Sequence, residues 1–361
     1  MTRSIRVGLI GAGANTRLRH IPGLLAIEGV ELAAVCNRRP ESTQTVAREF
    51  NVPRAYEQWE QVIADPDVDA VVIGTWPYLH CPITVAALRA GKHVLTEARL
   101  SMNAAEAHRM LKSARQHGHL VTQVVPSPFG LKGHEVIKKL LADGYLGELR
   151  EVHVCCFNAP LADPEAPLSW RQDATLSGFN MLTLGIVHET LTRWVPPVIE
   201  VQAQVQAHVA QRLDPQSGVY RPVGTPDSVQ ALAVLEGGAR ATYHFSGVTP
   251  FGQAANIQLF GCDGVLCYDL LTDRIHGASR HAGGSPGRMS DLDEIAIPPE
   301  LARGWTVEAD FIAAIREGRA IEFTTFADGV AYMEFTEAVA RSAETGACVA
   351  LPLEEFAAVM E

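Results

Sequence analysis

The sequence predicts an α/β domain built on a doubly wound parallel sheet, followed by an α+β domain with a large, mainly antiparallel open sheet. Three observations predict it. From residue 5 to about 126, short apolar runs alternate with amphipathic helical stretches, the pattern of parallel strands joined by helical crossovers. The runs are apolar throughout, as in Asp69-Ala-Val-Val-Ile-Gly74, which suits strands covered by helices on both faces. Beyond residue 127 the pattern changes to period-two stretches separated by turns such as Glu236-Gly-Gly238 and Cys262-Asp-Gly264, the signature of antiparallel hairpins.

Taken in order, the first half places strands near 5–10, 31–36, 69–74, 92–96 and 120–125, with helices near 16–27, 40–49, 57–64, 78–90 and 103–116 between them. The second half opens with a helix near 131–142 and an alternating strand from about 147 to 158. A loop rich in Pro and Asp covers 159–175, and a helix covers 178–194. Strands follow at Val198–Val209, Ser228–Leu235, Ala239–Val248, Ala255–Phe260 and Val265–Leu270. A Gly-, Arg- and Ser-rich loop spans 277–290, and helices near 305–317 and 325–344 close the chain. The implied domains are 1–126 and 127–361, with no internal repeat.

Composition narrows the functional classes. A chain of 361 residues, 47% hydrophobic and 20% charged, has enough apolar side chains for two cores. Acidic residues outnumber basic ones 41 to 30, a net charge of −11, and no basic run interrupts that balance, which argues against a nucleic-acid partner. The apolar run Ile5–Ile10 is too short for a signal segment and no stretch approaches 18 apolar residues, so neither export nor a membrane partner is expected and a cytoplasmic location is. Seven scattered cysteines without a Cys-x-x-Cys pair suit free thiols in a reducing compartment and argue against a metal site.

Chemistry first appears at Gly11-Ala-Gly13-Ala14-Asn15-Thr16, between the first strand and the first helix. Glycines there permit a tight turn and let backbone N–H groups and the helix N-terminus meet a pyrophosphate. The spacing of strand, turn, helix and second strand points to a Rossmann-type dinucleotide site rather than a tight turn in a nucleotide-free fold, with Gly11, Gly13, Ala14 and Asn15 expected against the phosphates. Thr16 stands where a third Gly or Ala is usual, a departure that either tilts the helix or adds a hydroxyl near the phosphates. About 25 residues later the chain reads Cys36-Asn37-Arg38-Arg39, where a carboxylate would take the ribose hydroxyls of NAD. Asn37, Arg38 and Arg39 suit a 2′-phosphate better, because guanidinium pairs with phosphate oxygens and stacks on adenine. The cofactor class is NAD(P), with NADP favoured. The bland alternative is that Arg38 and Arg39 are solvated at a helix start.

His20-Ile-Pro-Gly-Leu-Leu25, Val30-Glu-Leu-Ala-Ala-Val-Cys36, Asp67-Val-Asp-Ala-Val-Val-Ile-Gly74, His80 and Ala90-Gly-Lys-His-Val-Leu-Thr-Glu97 follow one another in the first half. Trp170-Arg171, the stretch Val307 to Gly318, Ser342-Ala-Glu-Thr-Gly346 and Leu351-Pro352 follow in the second. Together they resemble the glucose-fructose oxidoreductase / inositol dehydrogenase / MocA family over essentially the whole chain. The resemblance implies a cofactor loop at Thr75 and Trp76 and a cofactor contact at Glu97. It also exposes departures. Members usually carry Glu-Lys-Pro after the fifth strand, the lysine reaching substrate and nicotinamide, whereas this chain has Glu97-Ala98-Arg99. Counted from Gly178, the family's Asp and His, four apart on a helix, correspond to Thr183 and Val187, with His188 the next residue.

The parts available for the chemistry are therefore His188, Tyr78 and His80 as candidate catalytic groups, with Arg99, Trp170, Arg171, Asn180 and Thr183 as candidate substrate contacts. Histidine exchanges protons near neutral pH and arginine does not, so His188 is the expected acid/base, with Tyr78 or His80 next, and Arg99 is expected to orient substrate. Each has an ordinary alternative: His188 a satisfied buried histidine, His80 a loop-fixing residue, Trp76 a packing residue, Arg171 an ion-pair partner. The resemblance implies an NAD(P)-dependent oxidoreductase acting on a sugar, cyclitol or related polyhydroxylated small molecule. Two alternatives stay open: a redox-assisted glycoside hydrolase or lyase with no net redox change, and a non-catalytic dinucleotide-binding regulator. The free face of the second sheet is expected to be covered by another subunit, giving a homodimer or homotetramer.

Overall fold

The computed structural model describes residues 4–285 and 287–357, which form two compact units. One holds residues 4–126, 176–178 and 306–333, the other 127–175, 179–305 and 334–357. The sequence predicts a single passage between domains near residue 126. Instead, residues 306–333 return to the first unit.

The elements run β1 (Ile5–Ile10), a π-helical turn (Thr16–His20), α1 (Ile21–Leu25), β2 (Val30–Cys36), α2 (Pro40–Glu49), β3 (Arg54–Tyr56), α3 (Trp59–Ala64), β4 (Ala70–Ile73), α4 (His80–Arg89), β5 (His93–Thr96), α5 (Ala104–Gln116), β6 (Thr122–Val124), α6 (His134–Ala142), β7 (Leu149–Phe157), α7 (Ala174–Ser177), α8 (Leu184–Thr192), β8 (Val198–Gln206), β9 (Gln211–Leu213), β10 (Tyr220–Pro222), β11 (Ser228–Leu235), β12 (Arg240–Ser246), β13 (Ala254–Gly261), β14 (Gly264–Asp269), β15 (Arg274–Ser279), β16 (Asp293–Ile295), α9 (Val307–Glu317), α10 (Phe326–Thr345), β17 (Val349–Ala350) and α11 (Glu354–Ala357).

In the first unit six parallel strands take the order β3-β2-β1-β4-β5-β6. All four β4 residues are buried, and α4 and α5 add Ile83, Leu88, Ala107 and Met110 to the same core. Removing each of the larger ones, such as Ile83, Leu88 and Met110, from water stabilises the fold by about 1.5–3 kcal/mol. Helix α5 starts where Asn103 caps it, its side chain accepting the Glu106 N–H at 2.9 Å. From the return segment Phe326, Val330 and Met333 complete this core. Strand β3 escapes the sequence pattern because its three residues are all half-buried and make no apolar run.

The second unit carries a nine-stranded sheet, β16-β15-β14-β13-β7-β12-β11-β8-β17, in which only β7 and β12 run parallel. Alternation sorts its faces. Val229, Ala231 and Ala233 of β11 and Ala241, Tyr243 and Phe245 of β12 are buried, while Gln230, Leu232 and His244 face outward. The inner face packs on helices, with Tyr243 against His188 and Phe335, and Tyr268 against Trp194. The predicted helix at 178–194 begins only at Leu184, because Gly178 and Leu182 have positive φ values of 64° and 45°, incompatible with a right-handed helix. The stretch from Gly178 to Leu182 is therefore not helical, whereas Thr183 and Val187 are one turn apart, the Val187 N–H donating to the Thr183 carbonyl at 3.0 Å. No helix among the described residues is long and apolar enough to cross a membrane.

Candidate functional site

Strand order creates the site in the first unit. Crossovers leave β1 and β4 in opposite directions, and the crevice beyond the carboxyl ends of two such strands is where this sheet type binds ligands. A cavity of about 540 Å³ lies there, lined among others by Gly11, Gly13, Asn37, Arg38, Trp76 and Tyr78. Arg39, Ser42 and Thr75 also border it.

The two motif glycines have different jobs. Gly11 has φ +86°, and a Cβ on it would sit 2.6 Å from the Thr75 backbone nitrogen, so the close approach of the β1 and β4 loops excludes a side chain. A Cβ on Gly13 would meet nothing within 4 Å. That open space beside exposed backbone fits a pyrophosphate, which needs glycine for its own approach. Thr16 turns its hydroxyl back onto the glycine turn. It is 2% exposed, its hydroxyl donates to the Gly11 carbonyl at 3.3 Å, and the helix opens with the π turn instead.

Asn37 lines the cavity with its amide already committed to the protein. Its Oδ1 accepts the Ala12 N–H at 2.6 Å and its Nδ2 donates to Ser42 Oγ at 2.8 Å, so it braces the glycine turn from β2. Arg38 and Arg39 are exposed, and the Arg38 guanidinium lies 4.7 Å over the Trp76 ring, a cation–π contact that fixes it at the cavity wall. Tyr78 stands beside it, ring centroids 6.5 Å apart. Glu57 is the one carboxylate among the lining residues.

At the end of β5, Ala98 stands where the resemblance places a lysine, and Arg99 is buried at 8% exposure. That burial leaves little of the guanidinium to orient a substrate. His80 is 1% exposed, with Nε2 2.9 Å from the Thr75 carbonyl and Nδ1 3.0 Å from that of Arg99. Burial pushes it below the ordinary imidazole range, although the carbonyls pull the other way. It fastens the loop after β4 to the loop after β5, and its ring has no face left for proton exchange with substrate.

Glu97 joins a group that sequence reasoning missed. Its Oε1 accepts from Asn15 Nδ2 and lies 3.0 Å from His20 Nε2, while His20 Nδ1 lies 2.5 Å from Glu308 Oε1 on α9. Ala14 is exposed on the same loop. Burial alone would lower the His20 pKa, but the hydrogen bonds to Glu308 and Glu97 outweigh it and raise it to about 9. No local sequence pattern links positions 20, 97 and 308.

In the second unit the Pro/Asp-rich loop is ordered by its own partners. Trp170 and Arg171 form a short 3-10 turn, with the Arg171 guanidinium 4.3 Å over the Trp170 ring. The Arg171 carbonyl accepts from Thr225 Oγ1 at 3.1 Å. Beneath it Arg212, 1% exposed, donates to the carbonyls of Leu161, Asp163 and Ala166 at 2.6, 2.6 and 2.9 Å. Asn180 is 2% exposed, and Thr183 is half-buried at the start of α8, its hydroxyl paired with the Cys156 thiol.

His188 lies inside the second unit. It is 3% exposed, its ring stacks on Phe335 at 3.7 Å, and its Nδ1 pairs with the Tyr243 hydroxyl at 3.0 Å. Burial pushes its pKa to about 3. A ring so placed is neutral at neutral pH, held among Phe335 and Tyr243 in the core of the second unit.

Among the described residues no group of three or more His, Cys, Asp or Glu is arranged to hold a metal ion. All seven cysteines are free.

Comparison with known proteins adds to this geometry. The model described as an oxidoreductase family with an NAD-binding Rossmann fold matches residues 5–125, and the GFO/IDH/MocA C-terminal domain matches residues 134–267. A 1,5-anhydro-D-fructose reductase from Ensifer adhaerens is 28% identical over 94% of this chain and 97% of its own. The crystal structure of an oxidoreductase domain protein from Kribbella flavida superposes with a TM-score of 0.84 at 26% identity, covering 97% of this chain and 100% of that one. A levoglucosan dehydrogenase in complex with NADH and levoglucosan superposes with a TM-score of 0.81 at 22% identity, covering 97% and 100%.

Proposed function

The chain belongs to the GFO/IDH/MocA family of oxidoreductases, and from that membership we propose that it is an NAD(P)-dependent oxidoreductase acting on a sugar, cyclitol or related polyhydroxylated small molecule. The single observation that carries the cofactor half is the cavity at the β1/β4 switch point, with open space beside Gly13. The substrate half rests on the relatives, which are named for work on anhydrofructose and levoglucosan.

Bound there, a nicotinamide dinucleotide would supply hydride exchange with a carbinol carbon. The chain's own residues do the rest. Gly11 permits the tight turn and Gly13 leaves the space in which a pyrophosphate can approach the backbone, Trp76 and Tyr78 wall the cavity, and Glu97 lies at the β5 end. Arg38 and Arg39, beside Ser42, favour a 2′-phosphate and hence NADP, since guanidinium pairs with phosphate in charge-assisted hydrogen bonds. Trp170 and Arg171, the latter held by Thr225, form the substrate loop together with the stretch 161–166 that Arg212 holds, with Asn180 and Thr183 on the approach to α8. The outward face of the nine-stranded sheet, which exposes Leu232 at 62%, is the surface for a homodimer or homotetramer.

The test is cofactor stoichiometry with a panel of sugars, anhydrosugars and cyclitols. An oxidoreductase converts one nicotinamide per substrate turned over. Substrate consumption without net conversion would replace this reading with a redox-neutral hydrolase or lyase, and binding without turnover on any substrate would favour a regulator.

A further inference from the structure

Among the buried titratable groups, one cluster has no part in the function proposed so far beyond the contact made by Glu97. His20 is fully buried, its side chain at 0% exposure, and lies between two carboxylates, with Glu308 at 4% and Glu97 at 16% exposure. Three separate elements supply them: His20 ends the π turn after the glycine loop, Glu97 follows β5, and Glu308 lies in the first turn of α9. Asn15, from the glycine loop itself, shares the Glu97 oxygen with His20. The fit around Glu308 is tight, since a Cβ on Gly23 would lie 2.8 Å from Glu308 Oε2.

Chemistry fixes the state of this cluster. Two buried carboxylates around one ring favour imidazolium, and with both carboxylates ionised each nitrogen must carry the hydrogen that its oxygen partner accepts. Of the three, Glu97 is the most exposed, at 16%, and it stands at the carboxyl end of β5, the neighbour in the sheet of β4, whose following loop borders the cavity at Thr75 and Trp76. The imidazolium thus holds the more exposed carboxylate in place and, through it, the Asn15 amide of the glycine loop.

We propose that His20 is a positioning residue for the cofactor, an imidazolium clamped by Glu308 that fixes Glu97 and, through it, Asn15 in the turn that carries Gly13. The proposal rests on the dinucleotide function proposed for that cavity. Other charged groups are turned elsewhere: Arg316 of α9 bonds the Glu28 carbonyl, Asp310 pairs with Thr306 and Arg319, and Arg17 pairs with Glu49. Arg19 is exposed on the π turn. His80 is the remaining titratable group close enough to act on Glu97. The raised pKa of about 9 for His20 agrees with the clamp.

The experiment measures NADH and NADPH affinity by calorimetry from pH 6 to 10 in wild type, Glu308→Gln and His20→Gln, with melting curves to verify folding. Wild type should hold its affinity until the pH approaches about 9 and lose it above. Glu308→Gln keeps the shape but removes one carboxylate, so the same loss should occur at least about one pH unit lower. His20→Gln should bind about tenfold more weakly at neutral pH, the loss of one charge-assisted contact. Nitrogen chemical shifts of His20, assigned by difference with His20→Gln, should report imidazolium at pH 7.5 in wild type without cofactor. Neutral His20 at that pH, or unchanged pH profiles in a folded Glu308→Gln, would overturn the proposal while leaving dinucleotide binding intact. If the Glu308→Gln protein does not fold, the chemical shifts and His20→Gln decide. No binding by wild type at any pH would remove the cofactor reading and this proposal with it.

Discussion

Gly11 and Gly13 are two residues apart in one turn, yet a Cβ added to the first meets the Thr75 backbone at 2.6 Å while one added to the second meets nothing within 4 Å. The fold needs one glycine and the cavity needs the other. Gly11→Ala should lower stability by at least about 1–3 kcal/mol, from the positive φ alone and more from the clash. Gly13→Val should change it by no more than about 0.5 kcal/mol. Urea unfolding of the two variants checks this, and equal losses would contradict the division of labour.

Arg38→Ala should weaken NADP(H) by about 10- to 100-fold, the value of a charge-assisted hydrogen bond, and leave NAD(H) nearly unchanged. Competition binding with the two cofactors reads the ratio. A wild type that prefers NAD, or equal losses for both cofactors, would withdraw the assignment and leave Arg38 as a cover for Trp76.

Buried histidines set opposite limbs of a stability profile. His188 and His134 have native pKa values pushed down to about 3 and about 4, below the unfolded value near 6.5. The unfolded chain therefore binds more protons, so their contribution is present above that value and is lost as pH falls toward 3. His20, raised to about 9, behaves in the opposite sense, its contribution present below about 6.5 and lost as pH rises through 9. A tenfold change in a ring's proton affinity on folding corresponds to about 1.4 kcal/mol at most. Unfolding free energy against pH should peak near neutrality. His188→Gln should flatten the acid limb and His20→Gln the alkaline limb, and a variant that leaves its own limb unaltered would contradict the burial described for that ring.

Arg212 holds three carbonyls of the Pro/Asp-rich loop 159–175. Arg212→Ala should cost about 1–3 kcal/mol and speed amide exchange selectively in residues 159–168, with a raised Michaelis constant once a substrate is identified. Uniform exchange across the second unit would make Arg212 an ordinary core residue.

Much of this was legible in the sequence because the signals were local. The runs from Ile5, Val30, Ala70 and His93 became β1, β2, β4 and β5 since each is a buried parallel strand whose pattern needs no tertiary knowledge. Gly11-Ala-Gly13 carried its turn chemistry in three letters. What failed depended on long-range pairing or on backbone detail. Strand β3 exists by pairing with β2, the start of α8 is displaced by a positive φ at Leu182, and residues 306–333 rejoin the first unit far from it in sequence. At the site, residue type was a poor guide to role. His188, His80 and Arg99 have the side chains chemistry uses, but each is buried, and a histidine stacked on Phe335 has the same letter as one facing a substrate. His20 was visible only as part of the family pattern, because its partner Glu308 lies 288 residues away.

Calorimetric titration of the wild-type protein with NAD, NADH, NADP and NADPH, repeated on Gly13→Val, tests the central claim most directly. Saturable one-site binding of at least one of them to the wild type is predicted, with tightest binding for the NADP pair, and a loss of about 100-fold or more in a folded Gly13→Val, whose side chain would occupy the space left for the pyrophosphate. Absence of binding to the wild type by all four at millimolar concentration, or undiminished binding to Gly13→Val, would contradict it.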